Sequence, residues 1–462
     1  MKSKSKVSLV FPRFEYKSGD PPLGITYIAS YLRENTKADV NILDATFHQS
    51  HERIRSSIER DKPDIVGIFT DTIMFSDAMK VAEYAKDSKA FIVMGGPHVT
   101  VLPETVIDHV DVAVIGEGEY TFTEIVKRFK SDSLDSIEGV WLKKNGSIKK
   151  NSRRSSKNGT LDAFPFPALD LLEMDKYTES WNYLDCVDTG FKGTTMITSR
   201  GCPYRCTYCQ PTLDNVFGKK LLHRSPGNVV EEMKVLERRY GIDGRFFHDD
   251  TLTVDKKWLA EFCHILEKEK LGLLWGCNSR INTVNGETMK MMYRAGLRNI
   301  HFGIESGVQR VLDDVYRKAI KLEDIKGVVH EARRTGIHTL GFFMLGAPSE
   351  TIEEIEATIR LSRSLELDEA TFNITTPLIG TYLYERVKGD NKYTISENYA
   401  DFNYYRKRAF EGDGLTYRKL RYYQKKALLL FYTHPKRWKY VIMHLVSIKG
   451  LMKLFSKIRR FI

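Results

Sequence analysis

Residues 194–210 read TTMITSRGCPYRCTYCQ, and this stretch decides how the rest of the chain is read. Thr194–Thr198 is a short run of strand character. It leads into a loop with three cysteines, Cys202, Cys206 and Cys209, separated by three residues and then by two. Three thiolates so close can face one soft metal centre, and thiolates are the usual ligands of iron–sulfur clusters. A four-iron cluster takes four ligands. With three local ones, one iron stays open to a substrate. A structural zinc site needs a fourth ligand, which His223 or His248 would have to supply, and zinc ribbons usually show two separated pairs. A ferredoxin-type electron carrier needs a fourth cysteine in the same run, and Cys263 and Cys277 are distant. Buried structural cysteines seldom crowd in this way. The spacing favours the open-site cluster.

Strand and helix patterns alternate from Thr194 onward. The expected strands are Thr194–Thr198, Arg245–His248, Leu273–Cys277, Asn299–Gly303, His338–Leu345 and Thr371–Thr376. Helical periodicity lies between them, as in Asn228–Tyr240, Lys256–Lys268, Leu322–Thr335 and Ile352–Leu365. Six such units predict a partial (β/α)6 TIM-like barrel, with its chemistry at the carboxyl ends of the strands. The cysteine loop follows the first of them.

The motif, its place after the first strand and the barrel pattern resemble the radical S-adenosylmethionine (SAM) superfamily. The resemblance implies a [4Fe-4S] cluster on Cys202, Cys206 and Cys209. It implies that the amino and carboxylate groups of SAM chelate the open iron, and that one electron splits the sulfonium to a 5′-deoxyadenosyl radical. Tyr208 would meet adenine. GIESG (303–307) resembles the segment that reaches the ribose and methionine parts of SAM, with Gly303 and Glu305 as contacts. GFFMLGAPSE (341–350) resembles the glycine-containing strand near adenine, with Gly346. FHDDTLT (247–253) resembles an acidic strand end of this branch. CNSRIN (277–282) offers Arg280 to the carboxylate of SAM, and PLIGTYLY (377–384) resembles the last-strand pattern.

Upstream, residues 6–130 alternate strands at Val7–Phe11, Val40–Leu43, Ile65–Phe69, Phe91–Met94 and Val112–Ile115 with helical stretches such as Leu23–Glu34. This predicts a doubly wound parallel sheet of Rossmann-like type, whose ligands sit at the carboxyl strand ends. PPLGITYIASYLREN (21–35), PDIVGIFTDT (63–72), GGPHVTVLPE (95–104) and GEGEYTFTEI (116–125) resemble the cobalamin-binding domain of one radical branch. The resemblance implies cobalamin contacts at Thr70, Gly95, Gly96, His98, Gly116, Glu117 and Gly118. There is no Asp-x-His-x-x-Gly motif of the kind that supplies a lower cobalt ligand. His98, in GPHVT, is read as a loop histidine near the corrin.

The expected domains are 1–130, cobalamin-binding; 131–190, a connector with a type I′ turn signal at Asn145-Gly146; 191–400, the radical barrel; and 401–462, a basic helical region. With 462 residues, 24 Phe, 23 Tyr and 5 Trp, the chain can bury more than one core. Its six cysteines include a tight trio, which speaks for metal in a reducing compartment and against a disulfide framework. No signal peptide and no bilayer-spanning run stands out, so the expected location is cytoplasmic. The net charge of +11 belongs to the tail. Residues 414–462 hold thirteen Lys or Arg and no acid, which leaves 58 basic against 60 acidic residues elsewhere. Nucleic-acid binding by the body of the chain therefore gains nothing from the charge. Along 418–462 the basic residues fall at helical spacing, as with Lys449, Lys453, Lys457 and Arg460, opposite Leu451, Leu454, Phe455, Ile458 and Ile462. Such a helix suits peripheral contact with an anionic membrane, or packs on the barrel.

The function expected is SAM cleavage and, with cobalamin, C-methylation of an unactivated carbon. The substrate would be a small molecule, lipid-like compound or peptide, and an external donor of flavodoxin or ferredoxin type would supply the electron. The alternative within the branch is a cyclase or oxidoreductase that transfers no methyl. The alternative outside it is a non-enzymatic iron–sulfur binding or electron-transfer protein.

Overall fold

The structure is a computed structural model that describes residues 4–131, 133–154, 160–184, 191–403, 408–412, 414–438 and 442. The chain forms two compact units. The first comprises Met1–Trp181, Arg200–Pro203 and Pro211–Arg224; the second comprises Asn182–Ser199, Tyr204–Gln210 and Ser225–Ile462.

The first unit is built on a seven-stranded sheet. Its strands are β1 (Lys6–Phe11), β2 (Asp39–Asp44), β3 (Ile65–Phe69), β4 (Phe91–Gly95), β5 (Val112–Val114), β6 (Val140–Lys144) and β7 (Ser147–Lys150), in the spatial order 2-1-3-4-5-6-7. The first five are parallel. Period-two alternation feeds both faces: Val10, Ile68 and Met94 join one core, and Leu9, Val93 and Val114 join the other. Strands this apolar on both sides need helices on both sides, which is why the domain is doubly wound. β6 and β7 form the hairpin signalled by Asn145-Gly146, whose φ values of 51° and 77° are the positive pair a type I′ turn requires. Because β6 pairs antiparallel to β5, the sheet continues past residue 130 into the expected connector.

The second unit is built on six parallel strands: Gly193–Met196, Gly244–Phe247, Leu274–Ser279, Leu297–Glu305, His338–Leu345 and Glu369–Ile374. They pair strictly in chain order. The first and last are not paired with each other among the described residues, so the sheet is a partial barrel. Phe343 and Phe372 stack at 5.2 Å, with Phe431 of the C-terminal helix against Phe372. Phe342, on the alternate face, meets His301.

The helix Tyr417–Tyr432 corrects one expectation. Leu420, Gln424, Ala427 and Phe431 are buried, and Gln424 Nε2 donates to the Phe372 carbonyl at 2.6 Å. Arg437 donates to the carbonyls of Ser362, Arg363 and Leu365, which satisfies the exposed end of the helix Ile352–Ser364. This part of the basic tail packs on the barrel, because its apolar stripe finds an apolar strand within reach. The amphipathic stretch proper, 439–462, lies outside the described residues apart from 442. Among the described residues no helix is long and apolar enough to cross a membrane.

Candidate cluster and cofactor site

The cysteine loop is shaped by hydrogen bonds to distant segments. Upstream of it, the buried Asp249 accepts from the Thr198 amide (3.0 Å), the Thr198 hydroxyl (2.9 Å) and the Ser199 hydroxyl (2.5 Å). Burial pushes the Asp249 carboxyl up, against these donors. Downstream, the Cys206 carbonyl accepts from the amides of Cys209 (3.2 Å) and Gln210 (3.0 Å), closing a turn that carries two of the thiols. Thr207 donates to the carbonyls of Tyr316 and Val315. The amides of Leu383 and Tyr382 donate to Thr207 and Gln210. Asp249→Ala strands the Thr198 amide and two hydroxyls in a buried place, at a cost of about 3 kcal/mol. Asp249→Asn keeps an acceptor. The alanine variant should therefore lose iron and melt early, and the asparagine variant should retain most of both. Equal iron content in the two would show that Asp249 does not shape the loop.

Cys202, Cys206 and Cys209 are reduced cysteines, Cys206 buried and the other two half-buried. Among the described residues no three His, Cys, Asp or Glu side chains converge at metal-ligand range. The fit to an iron–sulfur cluster rests on three reduced thiols on one short loop and on Arg280. The Arg280 Nη1 lies 3.3 Å from the Cys206 Sγ, its guanidinium stacks on Tyr204 at 3.7 Å, and Nη2 donates to the Lys318 carbonyl. A guanidinium against a cysteine sulfur can offset the negative charge that a metal-bound sulfur carries. Arg280, expected at the carboxylate of SAM, stands beside a cysteine of the loop. The other described cysteines make no such set. Burial pushes the Cys263 thiol up to about 12 and the Cys277 thiol well above the usual range. Cys186 lies outside the described residues. His248, weighed as a zinc ligand, pairs with the Tyr183 hydroxyl at 3.0 Å.

Tyr208 and Glu305 meet. The Tyr208 hydroxyl donates to Glu305 Oε1 at 3.2 Å, and Lys318 Nζ donates to Glu305 Oε1 at 2.7 Å and to the Tyr208 oxygen at 2.8 Å. All three groups are buried or nearly so, and burial with the Glu305 charge pushes the Tyr208 phenol well up. Glu305 has φ 67° and follows a register shift after Gly303, a conformation that costs a non-glycine residue energy and recurs at binding sites. A Cβ on Gly303 would stand 2.6 Å from both Glu305 Oε1 and Lys318 Nζ. Gly303 therefore makes room for the pair. Glu305, expected as a SAM contact, is buried and ion-paired with Lys318. Lys318 escaped the sequence reading because nothing local distinguishes it in YRKAIK.

Gly346 has φ 80°, and a Cβ there would meet Leu420 at 2.6 Å. Gly346, expected near adenine, thus also leaves room for the C-terminal helix. Its amide and that of Ala347 donate to Glu350 Oε2 at 2.6 and 2.9 Å, and burial pushes the Glu350 carboxyl up to about 7. The folded state then binds a proton that the unfolded chain, at 4.5, has released. The stability this contributes is fully present below pH 4.5 and is lost as the pH rises through about 7. Glu350→Gln keeps the acceptor and stays neutral. Relative to the parent it should gain up to ~3 kcal/mol at pH 8 and nothing at pH 4. Urea unfolding at the two pH values checks this, and a pH-independent difference would refute it. Asp250, three residues beyond the second barrel strand, keeps solvent contact. Loss of most of its water and the neighbouring Asp249 push it up to about 6.

In the first unit the glycine turns lie at the carboxyl ends of β4 and β5. Gly96 has φ 117°, and a Cβ would stand 2.5 Å from the Thr70 carbonyl; on Gly118 it would meet Ile28 at 2.8 Å. The closeness these glycines allow is to the protein's own atoms. Gly95 leaves ordinary contact with Val114. Thr70 is fully buried, its hydroxyl on the Asp71 carbonyl. His98 is also buried, its Nδ1 3.3 Å from the Thr72 hydroxyl and its Nε2 3.1 Å from that of Thr105. Burial pulls it down to about 4, so it is neutral at physiological pH. Both side chains, expected near the corrin, are buried and hydrogen-bonded within the protein.

Comparison with known proteins finds two family matches. Residues 15–126 match the B12 binding domain, and residues 196–362 match the Radical SAM superfamily. An uncharacterized methyltransferase of Pyrococcus horikoshii, PH0819, is 36% identical over 431 residues, covering 90% of this chain and 88% of its own. The cytidylyl-2-hydroxyethylphosphonate methyltransferase of Streptomyces wedmorensis is 29% identical, covering 78% and 77%. The radical SAM methyltransferase TsrM of Kitasatospora setae, solved with cobalamin and a [4Fe-4S] cluster, superposes with a TM-score of 0.71 at 16% identity. That match covers 87% of this chain and 85% of TsrM.

Proposed function

Because the chain belongs to the family of radical SAM methyltransferases with a B12-binding domain, we propose that it C-methylates a small-molecule substrate at an unactivated carbon, using a [4Fe-4S] cluster, SAM and cobalamin. The observation that carries this reading is the meeting of Arg280 with Cys206 beside the Tyr208–Glu305–Lys318 group. Residues from the cysteine loop and from the third and fourth barrel strands come together there, where the motifs alone are far apart.

When bound, the reduced cluster supplies the electron that splits the sulfonium, and the methylated corrin supplies the methyl group. The chain's residues bind, orient and shield. Cys202, Cys206 and Cys209 hold the cluster. Arg280 offsets negative charge at the Cys206 sulfur. Glu305 and Tyr208 offer an acceptor and a phenol to the polar parts of SAM. Gly303 leaves the space in which Glu305 turns inward, and Gly346 closes the turn after the fifth barrel strand. Tyr316, Met344 and Ala347 pack near Tyr208, an apolar wall that keeps water from a reactive carbon. Gly95, Gly96, Gly116, Glu117 and Gly118 form the turns offered to cobalamin, with Thr70 and His98 beneath them. The electron comes from an external flavodoxin- or ferredoxin-type donor. The contact with anionic membrane expected of the basic tail gains no support from the helix Tyr417–Tyr432.

The test is incubation of the reconstituted chain with methyl-labelled SAM, reductant, cobalamin and cell extract. 5′-Deoxyadenosine together with labelled methyl in a small-molecule product is expected. 5′-Deoxyadenosine without transferred label would overturn methylation in favour of cyclisation or oxidation. Neither product would overturn the radical reading itself.

A further inference from the structure

The turn Gly116–Glu119 of the first unit holds the chain ahead of the cysteines, and Arg153, packed against Gly116, holds it beyond them. Ahead of Cys202, the Arg200 guanidinium is buried between two carboxylates of this turn. Its Nη1 donates to Glu117 Oε1 at 2.7 Å and its Nη2 to Glu119 Oε1 at 2.6 Å. The rings of Phe164 and Tyr27 lie 5.0 and 5.5 Å from it, so the fork is enclosed by apolar surface and little screened. Burial pushes the Glu117 carboxyl up, which the arginine opposes. After Cys209, Arg153 donates to the carbonyls of Asp214 (2.7 Å) and Val216 (2.9 Å). Its Nε lies where a Cβ on Gly116 would come within 2.8 Å. The same turn is tied to the other glycine turn: the Gly116 amide donates to Thr100 Oγ1 at 3.0 Å, and that hydroxyl donates to the Gly96 carbonyl at 2.9 Å. Arg200–Pro203 and Pro211–Arg224 both pack in the first unit, although the chain between and beyond them belongs to the second.

We propose that Arg200 and Arg153 are positioning residues that couple the corrin turns to the cysteine loop, so that filling the corrin site alters how the cluster is held and how tightly SAM binds. The inference rests on the proposed assignment of both cofactor sites. A ligand that orders Gly95–Gly96 and Gly116–Gly118 acts through Thr100 on one turn. Two planar guanidinium forks then pass any displacement of that turn to the segments flanking the thiols. Such coupling is reciprocal: SAM must bind the corrin-loaded chain more tightly by the factor with which it tightens the corrin.

The experiment uses the full chain with reconstituted cluster, with and without hydroxocobalamin. It reads the dissociation constant of SAM and the electron paramagnetic resonance spectrum of the reduced cluster. For the parent chain, corrin should change SAM affinity by about fivefold or more and alter the spectrum. In Arg153→Met, and in Arg200→Lys, which keeps the charge but loses the planar fork, the affinity ratio should fall toward one and the spectrum should no longer respond, with both cofactors still bound. A parent whose SAM affinity and spectrum ignore bound corrin would overturn the proposal and leave the proposed function intact. Variants that hold both cofactors and respond as the parent does would overturn it too. A parent that retains no corrin, seen from the absence of corrin absorbance, would refute the cofactor assignment itself, and this proposal with it.

Discussion

Alanine at Cys202, Cys206 or Cys209 is expected to remove the cluster and abolish SAM cleavage, whereas alanine at Cys263 or Cys277 leaves both in place. The contrast follows from where the thiols stand. The trio lies on one loop, with Cys202 and Cys209 partly exposed and Cys206 beside a guanidinium. In the proposed site each supplies one iron ligand, and no described cysteine or histidine stands ready to replace it. Cys263 and Cys277 are buried thiols held far from the thiolate form. Replacing them removes a small apolar group and costs at most packing. Iron and sulfide analysis of the five variants, with 5′-deoxyadenosine release, distinguishes the two sets. A full cluster in the Cys206 variant would remove the basis of the site. Cys186 joins the controls from its separation in sequence alone.

The second large effect is expected at Glu305, and it separates binding from folding. Glu305→Gln leaves the Lys318 ammonium buried without its counter-charge, which costs about 3 kcal/mol or more. It also removes the acidic acceptor proposed for SAM. A single variant cannot tell the two consequences apart. The pair can: Glu305→Gln with Lys318→Met removes both charges, and replacing both members of a buried ion pair is often neutral for stability. The double variant should recover the melting temperature of the parent yet bind SAM at least tenfold more weakly, about 1.4 kcal/mol. Thermal unfolding and equilibrium dialysis with labelled SAM give the two readouts. Parent-like SAM affinity in the stable double variant would make Glu305 purely structural.

Elements whose signals are local follow from the order of the amino acids alone. Every expected strand of both sheets is present to within a few residues, because strand and helix periods are properties of adjacent side chains. Asn145-Gly146 makes its hairpin for the same reason: two residues that tolerate positive φ suffice. The cysteine spacing likewise fixes three thiols on one loop before anything else folds. The tertiary structure decided what those elements meet. Arg280 reaches Cys206 across 74 residues, Lys318 reaches Tyr208 across 110 and Arg200 reaches Glu117 across 83. None of these pairings leaves a trace in a local pattern, because each depends on which strands become neighbours. The same holds for what particular residues pack against. Gly346 is small so that Leu420 can pack on it, His98 is neutral because it is buried, and the helix Tyr417–Tyr432 hides its apolar stripe on the barrel. Periodicity shows that a face is apolar or a turn is tight; only the folded chain decides what covers it, since burial and pairing energies arise between segments distant in sequence.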